Sequence, residues 1–300
     1  MSRIFLSIGE CMLEFTTGDD GIWHLGFAGD TFNTAWSFRL ATKNDEWETS
    51  YFTRVGVDPY SGRMIAFMER HGIATRWIER DADRQPGIYL VKTRNGERTF
   101  TYWRGLSAAR RLADDQDRLV QACREAGAVY FSGITLAILT PDRRQALLET
   151  LAGVKRAGKV VAFDPNLRPV LWENAGAMRD AVRDAVGVAT IVLPSLEDEQ
   201  THYGDVDIEA CAQRYIEAGA AEVAIKNGGA SMLVATENQK HEISGLERVE
   251  PLDTTGAGDA FNGAYLAARL CGHDPQGSVR RAHELAMRTV LQRGALQYCQ

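Results

Sequence analysis

Two hydrophobic rhythms divide the chain. From about residue 128 onward, short apolar runs at 128–131, 160–163, 191–193 and 223–225 read as buried strands, with stretches of helical period between them. The clearest such stretch is 141–156, where Ala146, Leu147, Leu148 and Leu151 provide an apolar side. Two last helices are expected at 257–271 and 276–292. Strand–helix alternation predicts a mostly parallel sheet with helices on both faces, a three-layer α/β/α architecture. Residues 4–8 read as a further buried strand, because the run is too short for a signal-peptide core and meets Glu10 at once.

The first hundred residues follow a different pattern. Segments 22–25, 76–80, 87–93 and 98–103 show the polar alternation of strands with one solvated face. Asn95-Gly96 between the last two is a strong hairpin signal. A two-residue turn there pairs Lys92 with Thr99, Val91 with Phe100, Tyr89 with Tyr102 and Gly87 with Arg104. Tyr89, Tyr102 and Arg104 then share one face, while Ile88, Leu90 and Trp103 share the other, where they can pack. Such a sheet suits a lid over a site. The plainer reading is an exposed hairpin whose tyrosines cover core.

Composition narrows the classes of function. The 300 residues are 45% hydrophobic and 25% charged, ordinary for a globular protein, with a net charge of −6. That balance argues against a nucleic-acid partner, which needs a clustered basic surface. A small anion needs only two or three placed cations. No run approaches the roughly 18 apolar residues of a membrane span. Five cysteines, Cys11, Cys123, Cys211, Cys271 and Cys299, are odd in number and scattered. They fit reduced thiols in a cytoplasmic protein better than a disulfide framework or zinc site. Without repeats or linkers, one domain over 1–300 is expected, its lid strands drawn from about 10–30 and 76–105.

The densest chemistry is Asp253-Thr254-Thr255-Gly256-Ala257-Gly258-Asp259-Ala260-Phe261-Asn262-Gly263. It opens an apolar helical pattern. Gly256 and Gly258 let backbone N–H groups approach a ligand at a helix N-terminus, which favours phosphoryl oxygens. Asp259, in the first turn, can accept a proton from an attacking hydroxyl. A lone Gly-x-Gly-Asp would be no more than a capped turn; the eleven-residue string is far more specific.

That string resembles the C-terminal motif of the ribokinase-like (PfkB-type) sugar kinases, and the resemblance runs from about residue 4 to 296. It implies a ribokinase-like fold, ATP and Mg²⁺, an anion hole at Gly256, Ala257 and Gly258, and Asp259 as catalytic base. It further implies a monovalent cation near Asp253 and Thr255. The segment from Ala28 to Ala35 is similar to the family's sugar-binding motif, which assigns Gly29, Asp30 and Asn33 to the substrate. Thr31 and Thr42 stand there in place of smaller residues, and an Asp/Thr helix cap at 31–41 is part of the expectation. Lys226-Asn227-Gly228-Gly229-Ala230 resembles the nucleotide-binding turn, giving Lys226, Gly228 and Gly229 to ATP. The family's Asn-x-x-Glu reads Ser195 to Asp198 here, so Ser195 falls to the nucleotide and Asp198 to the metal, with Glu199 competing. Metal held mainly through water would tolerate that change.

Phe163-Asp164-Pro165-Asn166-Leu167-Arg168 closes a strand, and ligands of open α/β sheets bind beyond strand ends. Arg168 is placed to meet an anion. Together with Tyr89, Tyr102 and Arg104, these residues resemble the sugar-acid branch of the family, the 2-keto-3-deoxygluconate kinases, where tyrosines and two arginines hold the acid. Fructose, ribose or another ketose is the alternative, with Arg104 ending a strand and Arg168 on phosphate. A non-catalytic sensor is a second alternative, though binding alone needs no base. A homo-oligomer is expected because lid strands leave open edges. Other classes lack their marks. The stretch 153–160 has Val160 where a P-loop needs Ser or Thr, and no third glycine follows Gly258 as a dinucleotide fingerprint requires.

Overall fold

The computed structural model describes residues 2–17, 21–42, 46–94 and 97–296, with side chains of 93–98 left aside. In chain order come β1 (Ile4–Ile8), β2 (Met12–Thr17), β3 (Trp23–Ala28), α1 (Asp30–Ala41), β4 (Glu48–Gly56) and α2 (Pro59–Arg70). Then follow β5 (Ile73–Ala74), β6 (Ile78–Asp81), β7 (Ile88–Arg94), β8 (Glu97–Trp103) and α3 (Gln116–Glu125). The regular alternation holds β9 (Ala128–Ser132), α4 (Gly133–Ile138), α5 (Pro141–Arg156), β10 (Val160–Asp164), α6 (Ala175–Val188) and β11 (Ile191–Val192). Last are α7 (Leu196–Tyr203), α8 (Ile208–Glu217), β12 (Glu222–Ile225), β13 (Met232–Thr236), β14 (Lys240–Ile243), α9 (Ala257–Leu270) and α10 (Pro275–Val290).

Ten strands form one sheet in the order β14-β13-β12-β11-β10-β9-β1-β4-β5, with β6 also beside β4. Every pairing is parallel except β12–β13 and β13–β14. The central strands are apolar on both faces because both are covered. Leu6, Ile8, Val129 and Phe131 face one helical layer containing Leu119, Leu147 and Val182. Phe5, Ala128, Tyr130 and Ala162 face the other, with Phe261, Leu266 and Val279 of α9 and α10. Helix α9 also lies against α1, and a Cβ on Gly263 would stand 2.5 Å from the Thr34 carbonyl oxygen. Only glycine permits that approach.

The second sheet, β3-β2-β7-β8, has the expected hairpin register, with Lys92 opposite Thr99, Val91 opposite Phe100 and Tyr89 opposite Tyr102. The Asn95-Gly96 turn itself lies outside the described residues. Two expectations are corrected. The strand anticipated at 76–80 is β6, which pairs with β4 of the large sheet, so it is no part of the lid-like sheet. Trp103, expected to pack, is 57% exposed, while Tyr89 is 6% exposed. Both faces are covered along β7 and open along β8: Tyr89 and Val91 pack on Met12 and Ala28, and Ile88 packs on the other side, whereas Tyr102 is 51% exposed.

Candidate active site

The carboxyl ends of the parallel strands meet two helix N-termini and one face of the small sheet around a cavity of about 900 Å³. Asp164 ends β10, Asn166 and Arg168 follow it, Ser195 follows β11, and Lys226, Gly228 and Gly229 follow β12. Helix α1 brings Gly29, Asp30 and Asn33, and α9 brings Gly256, Ala257, Gly258 and Asp259. Tyr89, Tyr102 and Arg104 come from the small sheet. All of these residues line the same cavity.

At the start of α9, Gly256 takes φ 76°, the left-handed conformation that turns the chain into the helix. The Ala257 N–H donates to the Thr254 carbonyl oxygen at 3.2 Å, while the next N–H groups of the first turn have no partner within the helix, so the terminus presents donors to the cavity. Asp259 lies in that turn, and its Oδ2 accepts from Asn33 Nδ2 at 2.8 Å. Burial first, then the nearby carboxylates Asp30 and Asp164, push its carboxyl up to about 7, against the opposing pull of Asn33 and Lys226. A base poised near neutrality suits proton abstraction.

Asp30 does not cap α1. Gly29 holds the cap position, and its N–H donates to Asn33 Oδ1 at 3.3 Å. The Asp30 carboxylate instead accepts from Asn166 Nδ2 at 3.0 Å, and burial pushes it upward. Asn166 adopts φ 35°, unusual for a residue with a Cβ. Its N–H donates to Asp164 Oδ1 at 2.9 Å, a local bond that supports the conformation.

Arg104 is ion-paired with Glu10 of the β1–β2 connection, and the Tyr89 hydroxyl donates to Glu14 of β2. Arg168 is more open: its Nη1 donates to the Leu167 carbonyl oxygen at 2.6 Å and to Asp198 Oδ2 at 3.3 Å. Asp198 lines the cavity, but Glu199 does not. Glu199 is buried on the other side of α7, accepts from Arg214 Nη2 at 2.8 Å, and is pushed up to about 7 by burial. That placement removes it as a metal ligand. The Asp253 carboxylate accepts from the backbone N–H groups of Thr255 at 2.9 Å and Gly294 at 2.5 Å. Among the described residues, no group of three or more His, Cys, Asp or Glu could cage a metal.

Sequence reasoning missed one wall of the cavity. Met232, Val249, Pro251, Ala286, Met287 and Val290 are apolar residues lining the same cavity, with Arg248 and His283 nearest the glycine turn at 228–229. They come from β13, the loop before α9 and one side of α10; the spacing on α10 was the available signal.

The model of the pfkB family carbohydrate kinases matches residues 6–299. The chain belongs to that family. A relative of this pfkB carbohydrate kinase, named 2-dehydro-3-deoxygluconokinase in Dickeya dadantii (strain 3937), is 35% identical over 96% of this chain and 95% of its own. The 2-dehydro-3-deoxygluconokinase of Escherichia coli (strain K12) is 33% identical over 99% and 97%. The crystal structure of a PfkB protein from Polaromonas sp. JS666 superposes with a TM-score of 0.83 at 26% identity, covering 97% of this chain and 96% of that one. The ribokinase-like fold is thus present. No described helix is long and apolar enough to cross a membrane, and Cys11, Cys123, Cys211 and Cys271 are free thiols.

Proposed function

We propose that this kinase transfers the γ-phosphoryl group of ATP to the C6 hydroxyl of 2-keto-3-deoxygluconate (2-dehydro-3-deoxygluconate), giving 2-keto-3-deoxy-6-phosphogluconate and ADP. The reading is carried by one cavity that joins a half-buried base and a glycine turn to two arginines. Asp259 takes the hydroxyl proton while the amides at 256–258 receive the charge spreading over the phosphoryl oxygens. Gly29, Asp30 and Asn33 hold the sugar hydroxyls. Tyr89, Tyr102, Arg104 and Arg168 hold its ketone and carboxylate end. The Nε of Arg104 is buried without a hydrogen-bond partner, the donor that an incoming carboxylate would take.

The apolar lining from β13 and α10 takes the nucleotide base, and Ser195, Lys226, Gly228 and Gly229 lie along its phosphates. Asp198 lines the cavity beside that stretch, and among the described residues no group of three or more His, Cys, Asp or Glu could cage a metal, which fits Mg²⁺ carried in on the nucleotide and held largely through water. That ion would neutralise the β- and γ-phosphoryl oxygens. A monovalent cation beside Asp253 and Thr255 belongs to the same reading. So does one kinase domain with the small sheet as lid, acting in the cytoplasm on small molecules, as a homo-oligomer without nucleic-acid or membrane partners.

A neutral ketose draws on one observation, that Glu10 already balances the charge of Arg104. ADP release over a panel of 2-keto-3-deoxygluconate, gluconate, fructose and ribose decides between them. The sugar acid is expected to give the highest kcat/KM. Preference for fructose or ribose would overturn the substrate, and ADP release with none of the panel would count against the kinase reading itself.

A further inference from the structure

Lys226 directs a buried ammonium beneath the glycine turn of α9, a placement that a nucleotide-binding turn does not require. The residue is 8% exposed, and its Nζ donates to Asp164 Oδ2 at 2.8 Å and Asn262 Oδ1 at 3.0 Å. Asn262 in turn donates to the same Asp164 oxygen at 2.6 Å and to the Tyr130 hydroxyl at 3.2 Å. The backbone is fastened as well. The Lys226 N–H donates to the Pro194 carbonyl, and the Leu196 N–H donates to the Lys226 carbonyl, each at 2.9 Å. Taking an ammonium and a carboxylate out of water is expensive, and such a pair is poor evidence of stabilisation. Its burial at a reaction site therefore points to use.

An ammonium has three N–H donors. Two are committed here, and the third has no acceptor among the described residues. Nζ faces the cavity beside the turn: a Cβ built on Gly258 would lie 3.8 Å from it. Three carboxylates, Asp30, Asp164 and Asp259, crowd the same end of the cavity. They repel an anionic phosphoryl group, so a cation held among them changes the balance most.

We propose that Lys226 is a catalytic residue whose ammonium donates to an oxygen of the transferring phosphoryl group, alongside the amides of 256–258. This rests on the kinase reading above. In the step, the acceptor hydroxyl oxygen bonds to the γ-phosphorus and its proton passes to the Asp259 carboxylate. The bond from that phosphorus to the bridging oxygen breaks, and its electron pair leaves on ADP. Lys226 stays protonated throughout. Asp164 and Asn262 are positioning residues that hold Nζ in place.

The test uses Lys226→Met and Lys226→Arg in the full chain, measuring kcat and KM across pH, melting temperature, and the affinities of ADP and a non-hydrolysable ATP analogue. Lys226→Met is expected to lower kcat by about 100-fold or more, the usual loss for one preorganised donor to the reacting oxygens. ADP affinity should stay within about three-fold, whereas the gain in affinity from the γ-phosphoryl group should disappear. The acidic limb of the kcat profile should move to higher pH, since Asp259 loses the cation that opposes its rise. Lys226→Arg should recover part of the turnover. If Lys226→Met fails to fold, Lys226→Gln, which still has a donor for Asp164, carries the same expectations. Turnover within about three-fold of wild type, or equal losses of ADP and analogue affinity, would overturn the proposal. Absence of any sugar turnover in the wild type would instead mark failure of the kinase reading.

Discussion

Asp259→Asn keeps the size and shape of the side chain and removes the proton acceptor, and the position of that carboxyl predicts two effects of opposite sign. The carboxamide oxygen can still accept the Asn33 N–H that Asp259 Oδ2 receives at 2.8 Å, so the local packing has no reason to change. Turnover should fall by about 10²-fold or more, the contribution of a positioned general base. Stability should move the other way. The folded chain holds this proton up to about 7, whereas the ordinary carboxyl value is 3.8. Between those values the folded state binds more protons than the unfolded one. The contribution of the neutral carboxyl is therefore complete below the unfolded value and is lost as pH rises through the folded one. At pH 8 the ionised form costs on the order of 2 to 4 kcal/mol, a cost that the neutral amide does not carry. The variant should melt several degrees above wild type at pH 8, and the gap should shrink at pH 5. In the wild type, kcat/KM should rise with pH through an acidic limb near 7. Thermal melts at the two pH values, set beside kcat, check both arms. Near wild-type turnover in a stable variant, or a melting gap larger at pH 5 than at pH 8, would refute the reasoning.

The remaining predictions concern the turn and the sugar pocket. Gly258→Val should lose turnover with little change in melting temperature, because the added Cβ meets only the Lys226 ammonium, at 3.8 Å, and the left-handed residue of the turn is Gly256. Parallel losses of kcat and melting temperature would argue against a phosphoryl site there. Arg104→Ala should raise KM for 2-keto-3-deoxygluconate by about ten-fold or more, since a charge-assisted bond contributes roughly 1.5–3 kcal/mol, while KM for ATP stays near its original value. It also leaves the Glu10 carboxylate buried and unpaired. Glu10→Gln added to Arg104→Ala should therefore restore melting temperature without restoring KM. Equal losses for the acid and for its neutral alcohol analogue would remove the arginine–carboxylate contact from the account.

Features that depend on near neighbours in sequence were legible. The strands at Ile4–Ile8 and 128–131, helix Pro141–Arg156, the β7–β8 register and the opening of α9 each follow from local period or turn chemistry. β4 was not legible, although it pairs with β1 inside the large sheet. Its Thr49, Ser50 and Thr53 are buried, and such polar positions interrupt the apolar run by which a central strand is read. β2 was anticipated only as part of lid strands somewhere within 10–30, for a related reason: beyond Leu13 its residues are half-buried, so they show neither a clean run nor a clean alternation.

The site divides along the same line. The sequence by itself determined which residue types were available, and the glycine turn with Asp259 behind it is encoded within one short segment. Which groups meet is a matter of long-range packing. Asp164, Lys226 and Asn262 come from β10, the end of β12 and α9, and nothing in their spacing pairs them before the sheet and helix close together. Asp198 and Glu199 make the point within two adjacent residues. Successive side chains on a helix point about 100° apart, so one faces the cavity and the other the interior. The packing of α7 against α8, where Arg214 receives Glu199, decides which.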